Sequence, residues 1–157
     1  MYVRLEAVQF ENPDHMRIWY EIRSDESVRK YSRSVKKIKP EEHKAWWAES
    51  KTLALRKLFF IRTQVLDAQG YVNVGIARLD HRDTWTEFSI AIMTQYRGRN
   101  IGTNATSQLI EMTRRISWPI PGAVIGTKNA VSMKLFINAG FLIKKQGFIQ
   151  FQYQPKR

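Results

Sequence analysis

A mixed α/β domain is the fold class that this sequence predicts, and three observations predict it. Short runs alternate apolar with polar residues, as half-buried strands do, while longer runs space their apolar residues by three and four, as helices do. The two kinds interleave along the chain in the order β, α, α, β, β, β, α, β, α, β, β. The length, 157 residues with 43% hydrophobic and 25% charged, is that of one domain with one sizeable core. No internal repeat, low-complexity tract or linker divides it.

The first strand is Tyr2 to Phe10, with Val3, Leu5 and Ala7 on one face. Asn12-Pro13-Asp14 then opens a helix, because Asn12 can cap and Pro13 suits a first turn; Met16, Trp19, Tyr20 and Ile22 give it an apolar side. Arg23 to Lys39 is polar and basic and reads as loop with a partial helical turn. A second helix runs from Pro40 to about Leu53, with Ala45, Trp46 and Ala48 among its less polar positions. Leu58-Phe59-Phe60-Ile61, continuing through Thr63 and Val65, is a buried strand, and Asp67-Ala68-Gln69-Gly70 supplies a turn. Tyr71 to Leu79 and Thr84 to Met93 complete a meander around a turn at His81-Arg82-Asp83. Gly98 to about Trp118 is helical, with Ile101, Ala105, Leu109, Met112 and Ile116 spaced by four or three, and Pro119 and Pro121 end it. Ala123-Val124-Ile125-Gly126 is a short buried strand. Asn129 to Ala139 is a helix capped by Asn129 and closed by Gly140, with Val131, Leu135 and Phe136 toward the core. From Phe141 onward the chain is strand again, Ile149, Phe151 and Tyr153 alternating with glutamines.

Lys and Arg number 26 against 14 Asp and Glu, a net charge of +12. Such an excess points to polyanionic company: nucleic acid, an anionic surface, or a ligand with several phosphates. Charge alone does not choose among them. With no cysteine the chain has no disulfide framework, thiolate nucleophile or Cys-ligated zinc, and His15, His43 and His81 lack ligand spacing, so no metal is expected. No apolar run approaches the ~18 residues of a membrane-spanning helix. The first ten residues alternate rather than forming a signal-peptide core, so neither a membrane span nor a signal peptide is expected, and a cytoplasmic location fits.

Gln95-Tyr96-Arg97-Gly98-Arg99-Asn100-Ile101-Gly102-Thr103 falls where a strand ends and a long helix begins. Such a junction presents unpaired backbone N–H groups and the positive end of the helix dipole, a ready anion site. Gly98, Gly102 and Thr103 are small enough for a diphosphate to approach, and Arg97 and Arg99 add charge. The bland reading is a helix-start turn with solvated arginines; a dinucleotide fold would need three glycines at fixed spacing, and Asn occupies one place. The later helix, Asn129 to Phe141, is explained residue by residue as an ordinary helix when taken alone.

Together the two stretches resemble the GNAT superfamily of acetyl-CoA-dependent N-acetyltransferases. The family's phosphate loop, R/Q-x-x-G-x-G/A, is matched by Arg97-Gly98-Arg99-Asn100-Ile101-Gly102 at its first and last positions, with Asn100 where the middle glycine is usual. Asn is the non-glycine residue most tolerant of a left-handed backbone, so the loop conformation should be kept. The later motif, N-x-x-S-x-x-L-Y-x-x-x-G-F, is matched at Asn129, Ser132, Leu135, Gly140 and Phe141. The resemblance runs from about Leu58 to Tyr153. It implies one domain over residues 1–157, with 1–55 on the acceptor side and 56–157 binding acetyl-CoA. The implied sheet has six to seven mixed strands with about four flanking helices, splayed between the strand ending near Met93 and the one around Ile125. It further implies that backbone groups of Ile92 and Met93 bind the pantetheine arm, N–H groups from Arg97 to Thr103 hold the pyrophosphate, and Asn129, Ser132 and Phe136 adjoin the arm. Transfer in the family is direct: a neutral amine attacks the thioester, a base takes its proton and an acid protonates the thiolate. Glu87, on the strand leading to the loop, is the candidate base; a solvent-facing strand carboxylate is its bland reading. The usual acid, the Tyr of the second motif, is replaced by Phe136, which leaves water or Tyr153 as the donor.

On the acceptor side, Ile22-Arg23-Ser24-Asp25-Glu26-Ser27-Val28-Arg29-Lys30-Tyr31-Ser32 is similar to the WRNDPxVRxxS stretch of one branch, and Glu42-His43-Lys44-Ala45-Trp46-Trp47 resembles its EHxxWF. That branch includes N-acetyltransferases of nucleotide-linked amino-sugars, in the pseudaminic-acid pathway, and of protein N-termini. Arg23, Arg29 and His43 suit an anionic acceptor, and Trp46 or Trp47 a stacked base or sugar; packing and a solvated face are the bland readings. The sequence thus favours acetyl transfer to the primary amine of an amino-sugar nucleotide or other small amine. Protein N-terminal or lysine acetylation, and an RNA-directed or non-catalytic CoA-binding module, are the alternatives. A homodimer is compatible with each.

Overall fold

Every alternating segment enters one seven-stranded sheet in the computed structural model, which describes residues 2–65, 69–145 and 149–153. The strands are β1 (Val3–Ala7), β2 (Arg56–Gln64), β3 (Tyr71–His81), β4 (Thr86–Ile92), β5 (Pro121–Ile125), β6 (Phe141–Lys145) and β7 (Ile149–Tyr153). Their spatial order is β1-β2-β3-β4-β5-β7-β6, antiparallel throughout except for the parallel pair β4 and β5. The helices are α1 (Pro13–Ser24), α2 (Glu26–Arg29), α3 (Pro40–Thr52), α4 (Ile101–Arg115) and α5 (Ala130–Asn138). The single-turn α2 is the partial turn expected in the basic stretch, and the mixed α/β class holds. Among the described residues no helix is long and apolar enough to cross a membrane.

Period two sorts the strand side chains onto two faces. Phe59, Ile61, Ala77, Leu79 and Phe88 face α4 and α5, where Ile101, Ala105, Leu109 and Phe136 complete one core. Leu58, Phe60 and Ile76 face the other way and bury Trp19 and Ile22 of α1 and Trp47 of α3. Each such fully buried side chain stabilises the fold by roughly 1.5–3 kcal/mol relative to exposure. The start of α1 is as expected: Asn12 Oδ1 accepts the Asp14 N–H at 3.0 Å, and Pro13 occupies the first turn.

One facing expectation is corrected, that of Val131, and the less polar positions of α3 and β1 are sorted by the structure. Ala45 and Ala48 are exposed, because α3 turns His43, Trp47 and Ser50 inward, a stripe at i, i+4 and i+7 that buries the indole instead of two methyl groups. Val131, in the first turn of α5, is 77% exposed, since that helix presents Phe136 and Leu135 to the core. Ala7, at the end of edge strand β1, is also exposed.

Two irregularities shape the middle of the sheet. β3 carries a bulge: Ile61 pairs with Gly75 and Arg62 with Asn73, so Val74 has no opposite residue on β2. There β3 and β4 lie so close that a Cβ on Gly75 would sit 2.3 Å from the Ala91 carbonyl oxygen; only glycine fits. The second irregularity is the β4–β5 junction. The two strands pair only at Thr86 with Pro121 and Glu87 with Gly122, reinforced by Thr86 N–H to Ile120 O at 2.8 Å and Thr86 Oγ1 to Pro119 O at 2.7 Å. Beyond Glu87, β4 pairs with β3 alone and β5 with β7 alone. The expected splay is therefore present.

Candidate active site

At the open end of the splay, β4 passes through a 3₁₀ turn (Thr94–Tyr96) into the loop before α4. Gly98 has φ +73° and Asn100 φ +58°, both left-handed. Glycine adopts this without a Cβ clash and asparagine tolerates it best of the rest, so Asn100 does keep the loop conformation. The Asn100 side chain makes no cap bond to α4. Among the described residues, the six consecutive N–H groups from Gly98 to Thr103 have no acceptor, whereas the Arg97 N–H bonds to Thr94 O at 3.2 Å. Six free donors at the positive end of a four-turn helix form an anion cradle built from backbone. Arg99 is exposed beside it with no ion pair among the described residues.

Arg97 turns away from the cradle. Its Nε donates to Ile92 O at 2.9 Å and its Nη2 to Ser27 Oγ at 3.0 Å, while Thr94 Oγ1 donates to the same hydroxyl at 2.8 Å. Arg97 thus ties the end of β4 to α2. Asp25 caps α2 by accepting the Ser27 N–H at 2.9 Å and its hydroxyl. Those bonds from Ser27 hold the Asp25 carboxyl below its usual value, with the Arg97 charge a lesser cause. Gly102 has a packing role as well: a Cβ there would lie 3.3 Å from Leu135 Cδ2, so its smallness lets α4 approach α5.

Met93 N–H donates to Val74 O at 2.9 Å and Met93 O accepts from Tyr96 N–H at 2.9 Å, so both groups of Met93 are engaged within the protein. The C=O and N–H of a trans peptide point in opposite directions, so Ile92 O faces away from β3, where it accepts the hydrogen bond from Arg97 Nε. On the β5 side, Asn129 Oδ1 accepts the Ser132 N–H at 3.1 Å, capping α5. Gly126, Thr127, Lys128 and Asn129 face Lys30, Tyr31 and Ser32 across an open cavity of about 220 Å³. Phe136 is 4% exposed, edge-on to Phe141 with centroids 5.0 Å apart. Its ring belongs to the core between α5 and β6. Tyr153 pairs with Phe141 through the backbone, and its side chain lies outside the described residues.

Glu87, two residues before exposed Ser89, is not a solvent-facing carboxylate: it is 5% exposed. Oε1 accepts from Arg33 Nη2 at 2.5 Å, and Oε2 from Arg82 Nε at 2.8 Å and Nη2 at 2.6 Å. Of the residues expected to meet the acceptor, three are engaged inside the protein. Trp47 is buried with Nε1 donating to Phe10 O at 3.2 Å. His43 is 3% exposed with Nε2 at 3.0 Å from Met16 O, which requires the proton on Nε2. Burial pushes its imidazole below the usual value, the Met16 carbonyl acting against this and the Arg23 charge with it. Arg29 donates to the carbonyls of Ser24 and Val35 and so braces the loop after α2. Trp46 and Arg23 stay together at half-burial, the guanidinium 4.5 Å over the indole. Sequence reasoning missed Arg33 and Arg82 on Glu87, and Ser27 under Arg97; each partner is distant in sequence or across a turn, with no local pattern to mark it.

The chain matches the acetyltransferase (GNAT) domain family over residues 4–142. Among curated proteins no sequence matches. Solved structures similar to it include a domain from Methanocaldococcus jannaschii, at 22% identity and TM-score 0.83, covering 96% of this chain and 97% of that one. Spermidine N-acetyltransferase from Vibrio cholerae, in complex with CoA and spermine, has 12% identity and TM-score 0.75 over 96% and 92%. The Campylobacter jejuni N-acetyltransferase PseH, in complex with acetyl coenzyme A, has 15% identity and TM-score 0.68 over 99% and 100%. At such identities these structures show a shared fold. The family match over most of the length adds the lineage: this chain belongs to the GNAT acetyltransferase family.

Proposed function

We propose that the chain transfers the acetyl group of acetyl-CoA directly to a primary amine, an amino-sugar nucleotide or another small amine being the acceptor class. The observation that carries this is the pairing of a sheet opened after Glu87 with six free N–H groups at its mouth. An extended amide-bearing arm can lie along the unpaired β4 edge, and a diphosphate can sit at the cradle. Structures of two proteins with this fold hold CoA or acetyl coenzyme A. In this reading residues 56–157 bind acetyl-CoA and 1–55 shape the acceptor side.

The amine nitrogen attacks the thioester carbon, the C–S bond breaks, and the sulfur departs as thiolate. Glu87 takes the amine proton on Oε1, the oxygen held among the described residues by Arg33 alone, whose side chain is 55% exposed and can move aside. Phe136 cannot donate a proton, so water or Tyr153 protonates the thiolate. With no cysteine in the chain the reaction has no Cys-acyl intermediate.

A thermal-shift titration with acetyl-CoA, followed by assay of thiol release with amines, tests the reading. The melting temperature should rise with acetyl-CoA concentration. No shift at millimolar acetyl-CoA would sink the proposal.

A further inference from the structure

On the α1–α3 face of the sheet, guanidinium groups outnumber the carboxylates that face them. Asp80 is held by Arg56, Nε to Oδ1 at 2.7 Å, and by Arg78, Nε to Oδ2 at 2.7 Å. Glu87 is held by Arg33 and Arg82. Arg23, in the last turn of α1, has no ion pair among the described residues, and its Nη1 is buried without a hydrogen-bond partner. It shares the Trp46 ring with Arg56, their guanidinium carbons 4.5 and 5.4 Å from the centroid. Five guanidiniums thus gather around two carboxylates.

Arg23, Arg56 and Arg78 are partly buried, unlike a solvated basic face, while Arg33 and Arg82 lie at the group's exposed edge. Desolvation pushes the Arg23 guanidinium below its usual value, and the charges of Arg78 and Arg56 push it the same way. Arg78 is lowered too, chiefly by burial, with Arg56 and Arg82 opposing the pull of Asp80 and Glu87. An unmatched buried guanidinium is costly, and an arriving anion removes that cost by supplying both charge and acceptors. The position also suits an acceptor. Arg78 lies directly opposite exposed Ser89, on the stretch of β4 that β5 has left, and paired residues project from the same face.

We propose that the acceptor amine carries an anionic group, phosphate or carboxylate, which Arg23 receives with Arg78 and Arg56 beside it and Trp46 beneath. The fork of Arg23 matches either group bidentately, and the indole face holds the fork in place. The assignment of this anion to the acceptor rests on the acetyltransferase reading; the anion site itself does not require turnover.

The test uses the full chain with acetyl-CoA, in 150 mM salt to screen the general effect of net charge. The probes are ethanolamine, O-phosphoethanolamine and β-alanine, scored both by thermal shift of the CoA-saturated protein and by thiol release. In the wild type at least one anionic amine should half-saturate at a concentration about tenfold or more below ethanolamine; which one separates phosphate from carboxylate. Arg23→Met should bring that ratio to within about twofold of parity, and the CoA-induced shift in the same samples reports that the variant is folded. Should Arg23→Met not fold, Arg23→Gln tests the same loss of charge with a polar side chain. Equal half-saturation by all three amines in the wild type, or a preference that survives loss of the Arg23 charge, would overturn the proposal. A binding preference abolished by Arg23→Met without any thiol release upholds the anion site and overturns the acetyltransferase reading instead.

Discussion

The cradle before α4 and the guanidinium group on β2–β4 both favour negative charge, but they are built from different material. The cradle uses backbone: six N–H groups are presented because Gly98 and Asn100 adopt left-handed conformations, while Arg97 is engaged elsewhere and Arg99 adds one exposed charge beside them. The guanidinium group uses side chains, brought together by strand register from residues far apart in sequence. A backbone site tolerates side-chain change and fails with loop conformation. A side-chain site does the reverse.

That contrast sets the scale of each substitution. The largest effect belongs to Glu87→Gln, which should lower kcat by about 10²-fold or more, the usual worth of a general base. A loss under threefold would return Glu87 to a purely structural anchor for Arg82. Next comes Gly98→Val, a β-branched residue at φ +73°. Its conformational cost of roughly 1–2 kcal/mol should raise the acetyl-CoA half-saturation point by about tenfold. Arg99→Ala should raise it only about two- to fivefold, the value of one exposed charge near a helix start. If Arg99→Ala matched Gly98→Val, the cradle would not be a backbone site.

Smaller still is Phe136→Tyr. The ring is buried against Phe141, so the new hydroxyl should lower the melting temperature, and kcat should stay within about threefold of wild type because protonation by water or Tyr153 suffices. A gain of tenfold, worth ~1.4 kcal/mol, would place the ring edge at the departing sulfur. The smallest effect is on the pH dependence of stability. The folded-state pKa of His43 lies below its ordinary 6.5, so the unfolded chain binds the extra proton first. Its contribution is complete above pH 6.5 and declines as pH falls below it. Melting curves from pH 8 to 5 should show this decline, and His43→Gln should reduce it.

The sequence foretold the cradle and, of its counterpart, only Arg23 and Trp46, and the reason is the range over which each is specified. Asn12, Asn129, Gly98 and Asn100 act within a few residues of themselves, so caps and turns are readable in place. The splay followed from family motifs, and the mixed sheet from periodicity. Arg56, Arg78 and Asp80 meet only because Arg56 pairs with Asp80 across β2 and β3; one step of slippage would scatter them to opposite faces. The bulge at Val74 and the close approach at Gly75 are equally invisible in one dimension. Trp46 and Trp47 show the limit most plainly. They are identical neighbours, yet a turn of 100° along the helix sends one to the core and leaves the other beside Arg23.

Mechanically, the β4–β5 junction makes the sheet two plates on a pin. One plate is β1 to β4 and the other β5, β7 and β6, and Thr86, bonded to the carbonyls of Pro119 and Ile120, is the pin at one end. A small rotation there is multiplied along the lever arm, so a fraction of an ångström at Thr86 becomes a larger change of gap at the mouth near Ile92 and Ile125. Thr86→Val, which keeps the shape and removes the hydroxyl, would therefore loosen the jaw at its fulcrum, far from any group that touches the load.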